Sequence, residues 1–185
     1  DNFILRDLDF KPDVATKTMA VQVRAYLEID IAEQQSWESD EEALKQWRET
    51  LEDHGIFVFK DTFRQPGRAR TPAGENRFSG FCVYDTNFPL IYVNNNKSKS
   101  RQIFTLFHEL AHLLMRTGGV DTRLEDYISH LKGDDRRIEI LCNRFTGEFL
   151  VPSKEFSDRT ANLSVTEINI SQMADLYRVS REVIL

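Results

Sequence analysis

The feature that most limits the fold of this chain is a pair of histidines inside a segment that is apolar almost all round. Residues 101–116 read R-Q-I-F-T-L-F-H-E-L-A-H-L-L-M-R, and the polar residues His108, Glu109 and His112 interrupt their apolar surroundings. The histidines are four positions apart, so a helix places them on one face, one turn from each other. Because buried polar groups are costly unless they are bound, the pattern predicts a central helix whose histidines hold a ligand.

This spacing is typical of a metal site. Two neutral imidazoles at positions i and i+4 can bind one Zn²⁺ at about 2.0–2.1 Å. Glu109 follows the first histidine, where a carboxylate can take a proton from a water held by the metal. We therefore predict His108 and His112 as metal ligands and Glu109 as the catalytic base. The alternative is an ordinary helix whose histidines are satisfied by hydrogen bonds or exposed.

A catalytic zinc site needs a third protein ligand and keeps one position open. Residues 136–152 carry apolar side chains at helical spacing and end at a proline, which predicts a second helix. Glu139 and Asn143 share one face of it, so we predict Glu139 as the third ligand and Asn143 as a residue that orients a ligand histidine. The alternative for Glu139 is a solvated carboxylate. Zn²⁺ is the predicted cofactor, and Mn²⁺ suits the same ligands.

The composition narrows the class of protein. The 185 residues are 41% hydrophobic, which is enough for the core of one domain. The net charge of −6 argues against general binding to nucleic acids or anionic membranes. No apolar run approaches the roughly 20 residues of a membrane span. Cys82 and Cys142 fall in different predicted elements, which indicates isolated thiols in a reducing, cytoplasmic setting.

Three segments predict strands, namely residues 56–60, 77–84 and 90–93. We expect them to form a small, mostly antiparallel sheet packed on the two ligand-bearing helices. The third segment is assigned as the sheet edge that pairs with an extended substrate, with Tyr92 and Asn94 as substrate contacts. The alternative is a plain sheet edge. Tyr127 and His130, between the two ligand helices, are further candidate substrate contacts.

The chain divides into three predicted regions. Residues 1–38 form an N-terminal helical segment that could link to a missing upstream domain, and residues 39–155 form the zinc metallopeptidase domain. Residues 156–185 form a helical tail similar to the start of a helix-turn-helix unit, and we expect it to pack on the peptidase. Direct nucleic-acid binding would use residues 64–77, which are rich in arginine, or residues 171–185. The net negative charge of the chain argues against such binding. The sequence does not indicate an oligomeric state.

Beyond these patterns, the sequence resembles a known family. H-E-L-A-H-L-L followed by I-E-x-x-C-N-R-F-x-x-E-F-L-V-P is similar to the two helical motifs of the ImmA/IrrE family of metallopeptidases, which are gluzincin-like. The resemblance covers about residues 41–152 and includes W-R-E-T-L-E-D-H-G-I-F-V-F and P-L-I-Y-V-N. Cys142 and Gly147 stand where alanine is usual in the family, and Leu141 where a charged residue is common. None of these departures removes a ligand.

The resemblance implies an α+β, zincin-like minimal metallopeptidase with His108, His112 and Glu139 as metal ligands and Glu109 as base. It also implies a zinc endopeptidase of narrow specificity, which cleaves a helix-turn-helix repressor in stress or mobile-element regulation. Two alternatives stay open. One is a toxin-like or regulatory binding protein with a structural metal site, and the other is a DNA-binding module.

Overall fold

The computed structural model describes residues 3–61, 79–117 and 133–185. Within these ranges a three-stranded sheet lies among helices, which confirms the predicted α+β class. The helices are α1 (Ile4–Asp7), α2 (Thr16–Leu27), α3 (Ile31–Ser36), α4 (Asp40–Asp53), α5 (Lys99–Leu114), α6 (Gly133–Leu150), α7 (Ser153–Thr160), α8 (Glu167–Tyr177) and α9 (Arg181–Ile184). The strands are β1 (Phe57–Asp61), β2 (Gly80–Val83) and β3 (Leu90–Asn94). Among the described helices, none has both the length and the apolar character needed to cross a bilayer.

The starts of two helices follow from local sequence. The Ser39 hydroxyl accepts a hydrogen bond from the Glu42 N–H at 3.1 Å, and the Glu42 carboxylate accepts one from the Glu38 N–H at 2.7 Å. Ser98 caps α5 by accepting from the Arg101 N–H at 3.3 Å. Each cap binds an N–H group that has no partner within its helix, so these serines help to fix where α4 and α5 begin.

The sheet corrects two predictions about strand pairing. Its order is β1-β3-β2, with β1 parallel and β2 antiparallel to β3. Among the described residues the sheet is therefore mixed and not mostly antiparallel. The predicted edge strand at 90–94 is its central strand. The reason is visible in the sequence, because L-I-Y-V is a continuous apolar run, as expected for a strand covered on both faces.

One hydrophobic core joins the N-terminal helices, the ligand helices and the C-terminal tail. Trp47 of α4 lies at its centre, with ring centroids 4.9 Å from Trp37, 4.8 Å from Phe107 and 5.5 Å from Phe149. The same cluster of buried residues extends from Ile4 to Val179. The division at residues 38 and 155 stays a prediction, but the described parts of all three regions contribute to this core.

Two polar side chains from the N-terminal helices bind the end of α6, which carries Glu139. The buried amide of Gln34 donates hydrogen bonds to the carbonyls of Leu150 and Tyr177, both at 2.9 Å. The Arg24 guanidinium donates to the Phe149 carbonyl and, at 2.8 Å, to the side-chain oxygen of Gln34. We call this pair the Arg24–Gln34 clamp. Since the last carbonyls of a helix lack partners within it, the clamp satisfies groups that would otherwise be buried unpaired.

We predict that Gln34→Ala lowers the free energy of unfolding by about 2–4 kcal/mol, because three hydrogen bonds are lost and buried carbonyls are left unpaired. Urea unfolding followed by circular dichroism measures the change. Gln35→Ala is the matched control, since the neighbouring Gln35 bonds the partly exposed Glu155 at 3.3 Å and should cost about 0.5 kcal/mol or less. Equal losses in the two variants would contradict the role of the clamp.

Candidate active site

Helix α5 turns two histidines towards α6. His108 and His112 are one turn apart and are only 9% and 8% exposed. Their Nε2 atoms lie 3.2 Å apart. The Glu139 carboxylate of α6 lies between them, with one oxygen 3.2 Å from His108 Nε2 and the other 3.2 Å from His112 Nε2. The structure thus brings together the three residues that the sequence analysis assigned as metal ligands.

The partners of the two Nδ1 atoms determine which nitrogen of each ring carries the proton. They thereby determine which atoms face the cluster formed by His108, His112 and Glu139. His108 Nδ1 lies 2.9 Å from the side-chain oxygen of Asn143, an acceptor, so Nδ1 carries the proton. The Thr117 hydroxyl donates to the His112 carbonyl at 3.3 Å, and its oxygen lies 3.2 Å from His112 Nδ1, which therefore donates to it. In both rings the unprotonated Nε2 then faces the cluster, as metal ligation requires.

These three residues fit a metal ion. Two Nε2 lone pairs and a carboxylate converge, and such acceptors repel one another unless a cation lies among them. Their separations of 3.2 Å match the roughly 3.3–3.4 Å between ligand atoms of a tetrahedral zinc with bonds of about 2.0–2.1 Å. Among the described residues, His108, His112 and Glu139 form the one group of three ligating side chains that could hold a metal ion.

Glu139 is ionised in this setting. Burial raises the pKa of its carboxyl group, but the adjacent imidazoles of His108 and His112 lower the pKa by more. The side chain is 18% exposed, so α6 holds it at the mouth of the cluster and not deep in the core. A carboxylate is the form that ligates a metal.

Glu109 lies next to the cluster, and its environment differs from that of Glu139. Burial raises the pKa of its carboxyl group, and the neighbouring His108 and His112 oppose that shift. Cys82, on β2, lies near this carboxylate, whose negative charge adds to burial in raising the pKa of the thiol. Glu109 is not part of the group that could hold the metal. It therefore has the surroundings of a proton acceptor beside a metal site.

Tyr92 and Asn94, predicted to contact substrate, lie away from this cluster on β3. Cys82 pairs with Ile91 and points to α5, so the next residue, Tyr92, lies on the opposite face of the sheet. The Tyr92 hydroxyl donates to the Asp61 carbonyl at 2.8 Å, and the Asn94 side-chain oxygen accepts from the Asn96 N–H at 3.0 Å. These contacts join parts of the sheet and its turn.

Several predictions fall outside the described residues. Tyr127 and His130 lie between residues 117 and 133, and the arginine-rich segment 64–77 lies between residues 61 and 79. The other candidate nucleic-acid segment, residues 171–185, is described. Its Ala174, Tyr177 and Val179 are buried, so this face of the tail packs on the rest of the protein.

Sequence reasoning missed two residues that lie at the site. Thr117 lies three positions beyond α5 and orients His112, and a hydroxyl residue just after a ligand helix was the available signal. Cys82 lies near Glu109, on a strand more than 20 positions earlier in the chain. No local pattern marks that proximity, because it depends on how β2 packs on α5.

A helix with His-Glu-x-x-His that faces a glutamate of a second helix, beside a small sheet, defines a metallopeptidase domain of the zincin-like class. The comparison with known proteins agrees. Residues 51–185 match the model of peptidase family M78, the IrrE N-terminal-like domain, and the chain belongs to this family. The resemblance to the ImmA/IrrE family found in the sequence is confirmed.

Two similar proteins extend the comparison. The chain is 31% identical over 94 residues to the radiation response metalloprotease IrrE of Deinococcus deserti. That match spans 50% of this chain and 33% of the relative, so about a third of the relative's length is represented. A solved structure of a Mycobacterium tuberculosis transcriptional regulator matches with a TM-score of 0.55 and 17% identity, over 91% of this chain and 44% of the regulator. At this identity the likeness concerns the fold.

We predict that Asn143→Ala weakens zinc binding by about 10- to 100-fold, because His108 loses the acceptor that fixes its tautomer and orientation. Competition with a chromophoric chelator measures the affinity. Asn143→Asp keeps an acceptor for His108 Nδ1 and should stay within a few-fold of the unmodified protein. Unchanged affinity in Asn143→Ala would show that the histidine needs no such partner.

Proposed function

We propose that this protein is a zinc-dependent endopeptidase of narrow specificity. The observation that carries the proposal is the convergence of His108, His112 and Glu139 beside Glu109, a carboxylate that is not itself one of the three. A purely structural metal site closes its coordination with four protein ligands. The three ligating side chains found among the described residues, with a separate carboxylate next to them, match the arrangement of a hydrolytic site.

Zinc suits a donor set of two imidazoles and one carboxylate, and Mn²⁺ is the alternative cofactor. When bound, the metal would supply a Lewis acid that polarises a peptide carbonyl and lowers the pKa of a water molecule. Glu109 would act as the general base that accepts the proton at its carboxylate and delivers it to the nitrogen of the leaving amine. Asn143 and Thr117 would keep the two imidazoles oriented throughout.

Strand β2 is the best candidate for contact with the substrate backbone. It lies at one end of the described sheet, next to α5, and its Cys82 lies near Glu109. An extended peptide that pairs with an outer strand presents its carbonyls at regular intervals, so one of them can lie at the cluster. This assignment replaces the one made for β3, whose two sides are already paired.

The substrate we propose is a helix-turn-helix transcriptional repressor in stress or mobile-element regulation. Support comes from the family resemblance and from the similarity to a radiation response metalloprotease. We place the reaction in the cytoplasm, since both described cysteines are free thiols.

We predict that Glu109→Gln abolishes the cleavage of one or two cellular proteins and leaves zinc binding intact, because the amide cannot accept the proton and Glu109 is not one of the three ligating residues. New protein N-termini are compared between cells of the source organism that express either form, with and without DNA damage or oxidant. We expect termini that need an intact Glu109 and that lie in a helix-turn-helix protein.

His112→Ala is the control for the metal, since it should lose both cleavage and zinc. If Glu109→Gln retains the same N-termini as the unmodified protein while it binds zinc, the proton-acceptor role is wrong. A biological effect that persists in Glu109→Gln without any cleavage would favour a binding protein with a structural metal. Termini in unrelated proteins would keep the peptidase and reject the repressor as substrate.

A further inference from the structure

An open groove runs between α2 and the junction of α6 and α7. It consists of two adjoining depressions of about 480 and 570 Å³, which share Val21, Glu148 and Pro152 among their lining residues. We call it the α2–α7 groove. Glu148 follows Glu139 on α6 by nine residues (139 to 148), so this part of the groove lies about 13–14 Å along the helix from the metal cluster. The groove is therefore a surface separate from the candidate active site.

The floor of the α2–α7 groove is apolar although it is open to solvent. Val21 and Ala25 are four residues apart, so they share one face of α2, and Val21 is 63% exposed. This face is distinct from the one that α2 buries in the core. The floor continues through Ile29, Ile31 and Pro152. Apolar side chains that line an exposed concave surface favour an apolar partner.

Acidic groups surround one end of this floor. Four carboxylates line the same depression, namely those of Glu28, Asp30, Glu148 and Glu155. Arg24 is the one cationic side chain among the described residues that line it, and its guanidinium donates inward to the carbonyls of Ile29, at 3.0 Å, and Phe149. Four carboxylates beside one guanidinium leave an excess of negative charge.

The partners of these carboxylates preserve that excess. Asp30 accepts from the Glu33 N–H at 2.8 Å, and Glu148 accepts from the Ser153 N–H at 3.3 Å, so their partners are uncharged. Glu155 differs, because Arg159 pairs with it at 2.7 Å. The negative charge is therefore concentrated where α2 ends and α3 begins.

Two helix ends add to the negative potential. α2 ends at Leu27 and α6 ends at Leu150, and residues of both ends line the groove. The last carbonyls of a helix carry a partial negative charge, which favours a cation nearby. The short helix α3 also begins here, but Asp30 caps its N-terminus. The groove thus suits a partner that combines apolar side chains with positive charges.

The walls of the groove determine which backbone conformation fits. α2, α6 and α7 are helices, whose backbone groups bond within each helix, so these walls offer no sheet edge to an extended peptide. A helical partner satisfies its own backbone groups and can lay an apolar face into such a groove. We propose that the α2–α7 groove binds a basic amphipathic helix of a protein partner.

In this complex the apolar face of the partner helix covers Val21 and Ala25, and its Arg or Lys residues lie against the carboxylates of Glu28 and Asp30. The binding goes beyond the proposed peptidase function and does not depend on it. If the partner is also the substrate, the groove supplies part of the narrow specificity.

The test uses one defined probe. It is a fluorescein-labelled, stapled helix of about 14 residues, with leucines at positions i, i+4 and i+7 and arginines on both flanks of that stripe. Fluorescence anisotropy measures its binding to the full chain in the Glu109→Gln form, so that cleavage of the probe cannot affect the result. We expect saturable binding that weakens without vanishing as salt is added, because salt screens the charges and not the apolar contact.

Two variants of the groove and two matched controls locate the binding. Val21→Lys places a charge on the floor, and Glu28→Arg reverses a charge at the rim, so each should weaken binding about tenfold. Val165→Lys is the control for the floor, since Val165 is 88% exposed and belongs to the C-terminal tail. Glu38→Arg, at an exposed carboxylate before α4, is the control for the rim. Both controls should stay within about twofold of the parent protein.

A charge exchange tests the rim directly. A second probe carries glutamates in place of the arginines, and it should bind the parent protein at least about tenfold more weakly. The same acidic probe should bind Glu28→Arg more tightly than it binds the parent. Because this variant is expected to lose one probe and gain the other, a general loss of structure cannot produce the result.

The outcomes are distinct when all variants show the same unfolding midpoint. Unchanged affinity in both groove variants, equal losses in the groove variants and the controls, or equal binding of the two probes would overturn the proposal. Dimerisation that Val21→Lys removes would assign the groove to a second copy of the chain and would also overturn it. The measurement involves no cleavage, so a failure of the peptidase function would leave its result unchanged.

Discussion

Two helices of this protein meet at three electron-rich groups that repel one another unless a cation lies among them. The Nε2 atoms of His108 and His112 and the carboxylate of Glu139 are about 3.2 Å apart, and the outer nitrogen of each ring is committed as a donor to Asn143 or Thr117. Each of these groups is partly or fully removed from water. A metal ion bound there would relieve this repulsion, so we expect metal affinity and the packing of α5 on α6 to be linked.

The position of α6 depends on residues far from the metal ligands. The Arg24–Gln34 clamp binds the last carbonyls of α6, and Gln34 also binds the Tyr177 carbonyl of α8. The N-terminal helices and the tail thus meet at the end of the helix that carries Glu139. We infer that they act as supports of the metal site, since the hydrophobic core and the clamp both run through all three predicted regions of the chain.

The packing of β2 on α5 forms the other side of the site. Gly80 permits the close approach, and Cys82, two residues further along β2, lies on the same face of the strand and near Glu109. The face of the sheet that carries Cys82 and Ile91 covers the helices. The opposite face carries Tyr92, whose hydroxyl binds the end of β1. Neighbouring residues of a strand point to opposite faces, so Cys82 and Ile91 face the helices while Tyr92 faces away from them.

The sequence by itself determined the ligand helix, the second helix with Glu139 and Asn143, and the family. These features depend on spacing along one helix, and a period of 3.6 residues relates neighbouring side chains without knowledge of the fold. Tertiary structure alone decided that β3 is central, that Gln34 binds α6 and that Cys82 lies near Glu109. Each of these contacts joins segments distant in sequence, and only the packing of whole elements brings such segments together.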